Sequence, residues 1–115
     1  MHFLVQLTSF ATKVYWSKHM PDALPEEEVL SRLSEGLSSW VYSDGHITRE
    51  FLFSDFIAAS AFLTSVMIVT QEVDHHAEIW NVYNKVRLTL WSHDAGGVTE
   101  RDLHLMARID ARYLD

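Results

Sequence analysis

The sequence predicts a single α+β domain: a four-stranded antiparallel sheet with three helices on one face, in the order helix, strand, strand, helix, strand, strand, helix. Two short apolar runs each fold back about a turn. Three longer stretches carry apolar residues at helical spacing, and Asp44-Gly45 and Gly96-Gly97 punctuate the chain between such segments.

The first helix begins at "LPEEEVLSRLSEGL". Pro25 and three consecutive glutamates suit a first turn, where the backbone N–H groups have no partners and the helix dipole favours negative charge. Val29, Leu33 and Leu37 then recur every four residues, which predicts one buried stripe and an end between Gly36 and Ser39. Asp44-Gly45 is a two-residue hairpin signal between Trp40-Val41-Tyr42 and a strand that places Ile47, Phe51 and Phe53 on one face. Ser54 or Asp55 caps a second helix of about five turns, by the period of 3.6 residues. Phe56, Ala59, Leu63 and Val66 form its main stripe, and Ile57, Ala61 and Ile68 widen it. A helix so broadly apolar should bury two faces, one on the sheet and one on a partner chain. In "WNVYNKVRLTLW" a second hairpin turns near Asn84-Lys85, with Val86, Leu88 and Leu90 toward the core and Arg87, Thr89 and Trp91 on the other side. Thr99 as N-cap and Asp102 three residues on open the last helix with a variant capping box.

At 115 residues, 48% hydrophobic and 22% charged, the chain has the composition of one ordinary globular domain. It has no cysteine, which excludes disulfides, thiolate nucleophiles and Cys-type metal sites. A net charge of −7 argues against a nucleic-acid binder, which would concentrate Lys and Arg. No stretch approaches the roughly 18 apolar residues of a membrane helix. Residues 1–23 form an N-terminal extension ahead of a domain over 24–115. Lys13 and Lys18 are placed wrongly for a secretory signal. Phe3, Val5 and Leu7 alternate as in a strand, so the extension is expected to pack on the domain or a neighbouring subunit. The expected location is cytoplasmic, and also nuclear if the source is eukaryotic.

Chemistry concentrates in "EVDHHAEIWNVYNKVRLTLWSHD", residues 72–94, which holds three of the seven histidines. His75 and His76 precede a strand, and His93 follows the strand that returns beside it. A hairpin therefore brings all three to one cleft mouth. Three readings stand side by side. A metal site would need adjacent histidines to face one ion, which a strand forbids and no HExxH spacing supports. A surface role is natural for histidines at a helix C-terminus. Acid/base catalysis fits a residue that titrates near neutrality, because one imidazole can accept a proton while another donates one. Asp74 and Asp102 are near enough to orient the rings, although Asp102 is equally explained as a helix cap. Trp80, Tyr83 and Trp91 could stack on a planar ligand or serve as core.

The stretch "DHHAEIWNVYNKVRLTLWSHDAGGVTERD" resembles the signature of the pterin-4a-carbinolamine dehydratases, also known as dimerisation cofactor of a homeodomain transcription activator. Paired histidines, Tyr83, His93 and Asp102 agree in spacing together, and "REFLFSDFIAASAFLTSV" extends the resemblance, which covers roughly residues 24–115. It implies an α+β fold and loss of water from a 4a-hydroxytetrahydropterin, giving quinonoid dihydropterin in tetrahydrobiopterin recycling, with no metal and no cofactor. His75, His76 and His93 fall on the family's active-site histidines, with His75 and His93 expected as the acid/base pair and His76 as pterin ligand. Asp74, Trp80 and Asp102 are the expected substrate-binding residues. The resemblance also implies a homodimer or homotetramer and, as the alternative function, a non-catalytic coactivator or assembly factor with a transcription-factor or other protein partner. Departures from the pattern are Ala77 for proline, Gln71 for an acid, Ile79 for an aromatic and Ser39 for glycine.

Overall fold

The computed structural model describes residues 22–113. The extension expected before Leu24 lies outside them except for Asp22 and Ala23. The chain forms α1 (Glu26–Glu35), β1 (Val41–Ser43), β2 (His46–Leu52), α2 (Phe56–Glu72), β3 (Glu78–Val82), β4 (Lys85–Leu90) and α3 (Glu100–Asp110). The element order matches the expectation. The sheet is antiparallel throughout with spatial order β1-β2-β4-β3, so β2 and β4 are central and β3 is an edge.

Alternation gives this sheet two unlike faces. Ile47 and Phe51 on β2 and Val86, Leu88 and Leu90 on β4 are all fully buried, and they meet Ala59, Val66 and Val69 of α2 and Leu105 and Ile109 of α3 in one core. The opposite face carries Thr48 and Thr89, whose hydroxyls hydrogen-bond across strands at 3.0 Å, and Arg87 over the ring of Trp80 at 4.3 Å. Phe51, Phe53, Phe62 and Tyr113 pack as a ring cluster at one end of the core. The far end of α3 is fixed by Asp110, whose Oδ1 accepts from Trp40 Nε1 at 2.8 Å and from Arg49 at 2.9 Å.

Three details depart from the periodicity. The stripe Val29, Leu33, Leu37 is cut short: α1 stops at Glu35 and Leu37 is 91% exposed with φ +49°. Ser38 N–H donates to Leu33 C=O and Leu37 N–H to Ser34 C=O, a Schellman motif in which Leu37 occupies the left-handed position that glycine prefers. Phe56 is half exposed instead of leading the α2 stripe, and Phe62 and Val69 supply the burial. The second hairpin turns at Tyr83-Asn84, one residue earlier than expected, since Val82 pairs with Lys85. Asp55 caps α2, its carboxylate accepting from Ala58 N–H at 2.8 Å. Ile57, Met67 and Ile68 lie exposed on the outer side of that helix. No described helix is long and apolar enough to cross a membrane.

Candidate active site

A cavity of about 300 Å³ opens where α2 hands over to β3, where β4 ends and where α3 begins; its lining is Asp74, His75, His76, Trp91, His93, Asp94 and Arg101. Its position follows from how each element stops. α2 ends in a second Schellman motif: His75 N–H donates to Thr70 C=O and Asp74 N–H to Gln71 C=O, with Asp74 at φ +54°. Aspartate tolerates that conformation better than most residues. The reversal turns the chain back, so that His75 faces α3 while His76 returns toward α2.

His75 is the most enclosed of the three histidines. Its Nε2 lies 2.5 Å from Oδ1 of Asp102, which is wholly buried. The other carboxylate oxygen of Asp102 accepts from the backbone N–H of Thr99 at 2.8 Å and from the Ser92 hydroxyl at 2.8 Å. Asp102 therefore closes the capping box of α3 and holds His75 at once, so that both explanations weighed from the sequence apply to one carboxylate. With Nε2–H donating to a carboxylate, the proton-free nitrogen of neutral His75 is Nδ1.

His76 is exposed, and its Nε2 donates to Gln71 Oε1 at 3.2 Å. The amide stands at the position where an acid was expected, so a neutral acceptor does the orienting. His93 is also exposed, on the loop after β4, and its ring stacks on Trp91 with centroids 3.8 Å apart and planes 23° apart. The loop is tied at its base by Ser92 N–H to Gly97 C=O at 2.8 Å. Arg101, on the first turn of α3, donates to Asp94 Oδ1 at 2.7 Å. Burial pushes the Asp94 carboxyl up, but the hydrogen bond and charge of Arg101 outweigh this and hold it below its ordinary value.

Of the six residues expected from the sequence, the structure brings Asp74, His75, His76 and His93 to the cavity wall. Asp102 lies behind His75, out of reach of any ligand. Trp80 lies on the open sheet face against Arg87 and does not line the cavity, because it shares a face with Glu78 two residues further from the sheet's end. Ser92 and Arg101 were not singled out from the sequence. A buried serine beside a capping carboxylate and an arginine one residue before it leave no periodic signal. Among the described residues no three His, Asp or Glu side chains group closely enough to hold a metal ion.

Residues 22–112 match the family model described as pterin 4 alpha carbinolamine dehydratase. A protein of Solibacter usitatus, provisionally named a pterin-4-alpha-carbinolamine dehydratase, is 41% identical over 92 residues, which is 80% of this chain and 96% of that protein. One of Paraburkholderia xenovorans with the same provisional name is 47% identical over 90 residues, 76% of this chain and 93% of the relative. Among solved structures, a transcriptional coactivator/pterin dehydratase from Brucella melitensis superposes with TM-score 0.73 at 34% identity, over 79% of this chain and 98% of that one. A pterin dehydratase-like protein identified as a RuBisCO assembly factor shares the fold, with TM-score 0.54 and 22% identity over 64% of this chain and 84% of its own.

Proposed function

The chain belongs to the pterin 4 alpha carbinolamine dehydratase family, and from that premise we propose that it removes water from a 4a-hydroxytetrahydropterin to give the quinonoid dihydropterin. The supporting observation is the convergence of His75, His76 and His93 on one cavity, with His75 held from behind by buried Asp102. A volume of about 300 Å³ suits a small planar bicycle.

In the elimination a ring N–H and the adjacent carbon–oxygen bond break, a carbon–nitrogen double bond forms, and water leaves. His75 is the base: Asp102 fixes its tautomer and stabilises the imidazolium that forms when Nδ1 takes the ring proton. His93, whose ring nitrogens make no hydrogen bond among the described residues, is the acid that protonates the departing hydroxyl. His76 binds the pterin and steers that hydroxyl, and Asp74 contributes to the rim. Asp102 acts through His75 and not on substrate. Positioned acid/base groups contribute about 10²- to 10⁴-fold, a sufficient share for a carbinolamine that already dehydrates slowly by itself. The product fits recycling of a tetrahydropterin cofactor. Faster decay of a synthetic carbinolamine in the presence of the protein is the expected result; a rate equal to that in buffer would overturn the reading.

A second reading is a protein-binding role. It is favoured by the outer side of α2, where Ile57, Met67 and Ile68 are exposed and no charge interrupts the helix before Glu72. The Brucella relative is described as both a transcriptional coactivator and a pterin dehydratase. The same surface, with edge strand β3, suits a homodimer or homotetramer. A stable partner co-purifying with a protein that shows no turnover would favour this reading over catalysis.

A further inference from the structure

Each proposed catalytic histidine needs something to hold its ring, and the three are held differently. His75 has a buried carboxylate and His76 has an amide. The imidazole of His93 has no hydrogen-bond partner among the described residues, sits on an exposed loop, and is held by its stack on Trp91.

Trp91 is itself anchored on two further sides. Its Nε1–H donates to Glu78 Oε1 at 3.0 Å, and the His46 ring packs against it with centroids 4.5 Å apart, tilted by 47°. The register explains the assembly. Ile47 pairs with Leu90, so His46 and Trp91 follow as the next cross-strand neighbours, while Glu78 pairs with Thr89, the residue two before Trp91 on the same face. His93, two residues on, meets the indole from the end of β4. The first residues of β2 and β3 thus fix an indole, and the indole fixes the histidine.

We propose that Trp91 is a positioning residue for His93: the indole, tethered by Glu78 and flanked by His46, holds the His93 imidazole at the cavity wall while leaving both ring nitrogens free for proton transfer. This rests on the dehydratase reading and adds to it a device specific to this chain's strand ends. It also means that the Trp91 face under His93 is not available to stack on a pterin. Stacking suits the task, since a π contact restrains the ring without touching its edge, so that either nitrogen is available to exchange the proton. Displacing a reacting group by about 1 Å can cost on the order of 100-fold in rate.

The test uses Trp91→Leu, Trp91→Phe and Glu78→Ala, each alone and with His93→Ala, in steady-state dehydration assays together with NMR of the His93 ring protons. Trp91→Leu should lower kcat by roughly 10- to 100-fold with KM changed less than about threefold, as expected for a group displaced by up to about 1 Å. Trp91→Phe should recover most of that loss, and Glu78→Ala should show a smaller loss of the same kind. In the His93→Ala background Trp91→Leu should add nothing, because two residues acting as one unit are not additive. The His93 ring protons should be shifted upfield by the indole and return toward ordinary positions in Trp91→Leu. A Trp91→Leu protein with unaltered kcat, or one whose loss adds to that of His93→Ala, would overturn the inference while leaving the dehydratase reading intact. If the unaltered protein does not accelerate dehydration, that reading falls and the catalytic role of Trp91 falls with it; a persistent upfield shift would then mark a stack without that role.

Discussion

Asp102 turns one carboxylate oxygen to His75, at 2.5 Å, and the other to the backbone N–H of Thr99, at 2.8 Å, so a single buried side chain starts α3 and orients the proposed base. Asp102→Asn keeps the size but loses the charge that stabilises the imidazolium. It should lower kcat by about 100-fold or more, within the range of acid/base contributions. Because the cap is weakened as well, the variant should also lose about 0.5–2 kcal/mol of stability. Kinetics and thermal melts on the same sample check both halves, and an undiminished kcat at reduced stability would leave Asp102 as a cap alone.

The division of labour among the histidines has a kinetic signature. His75→Ala and His93→Ala should each reduce kcat by about 10²- to 10⁴-fold. His76→Ala should instead raise KM, with kcat within a few-fold of the unaltered protein. Full rates in either of the first two variants would sink the assignment of roles.

Leu37 is 91% exposed and takes the left-handed position of the motif that ends α1, with φ +49°. A side chain there costs about 1–2 kcal/mol that glycine does not, part of which is offset by glycine's greater freedom when unfolded. Leu37→Gly should therefore stabilise the protein by about 0.5–1 kcal/mol. Denaturant midpoints would reveal the change, and a destabilised variant would mean that Leu37 makes contacts in solution that this structure does not include.

Acid should remove the Arg32–Glu100 pair between α1 and α3. The hydrogen bond from Arg32 at 2.7 Å, opposed by partial burial and aided by its charge, holds the Glu100 carboxyl below its ordinary value of 4.5. A depressed carboxyl stabilises the fold fully above the unfolded value and loses that contribution as pH falls through the lower, folded one. Since both side chains are more than a third exposed, the pair is worth at most about 1 kcal/mol. Glu100→Gln should thus be slightly less stable than the unaltered protein near neutrality and indistinguishable from it well below pH 4.5. A difference that persists in acid would assign the effect to packing.

Most of the fold was legible because apolar spacing and burial agree on it. Ile47, Phe51, Val86, Leu88 and Leu90 alternate in the sequence and all are fully buried. What was not legible depends on chain reversal. Nothing in "SEGLSS" says that the left-handed residue will be Leu37 and not the glycine before it, because the choice is made by the hydrogen bonds that close the helix. The clustering of histidines was visible from the hairpin, and so was Asp102 as a cap. That it could orient a histidine was legible too, but not that the ring would be His75 or that one carboxylate would serve both roles, since residues 27 apart meet only once α3 packs beside the end of α2. Trp80 and Trp91 looked alike as aromatics on neighbouring strands. Only the register shows that one lies over Arg87 and the other under His93.

The loop bearing His93 is closed at its base, with Ser92 N–H and Gly97 C=O bonded at 2.8 Å and both residues buried, while His93 and Asp94 stand in solvent. In hydrogen-exchange terms this divides four or five residues into two regimes. The Ser92 amide should exchange only with large openings of the domain, whereas the amides of His93 and Asp94 should exchange through local fluctuation. Backbone fluctuation is therefore confined to the loop tip and does not loosen the strand that carries it, while the His93 ring stays seated on Trp91.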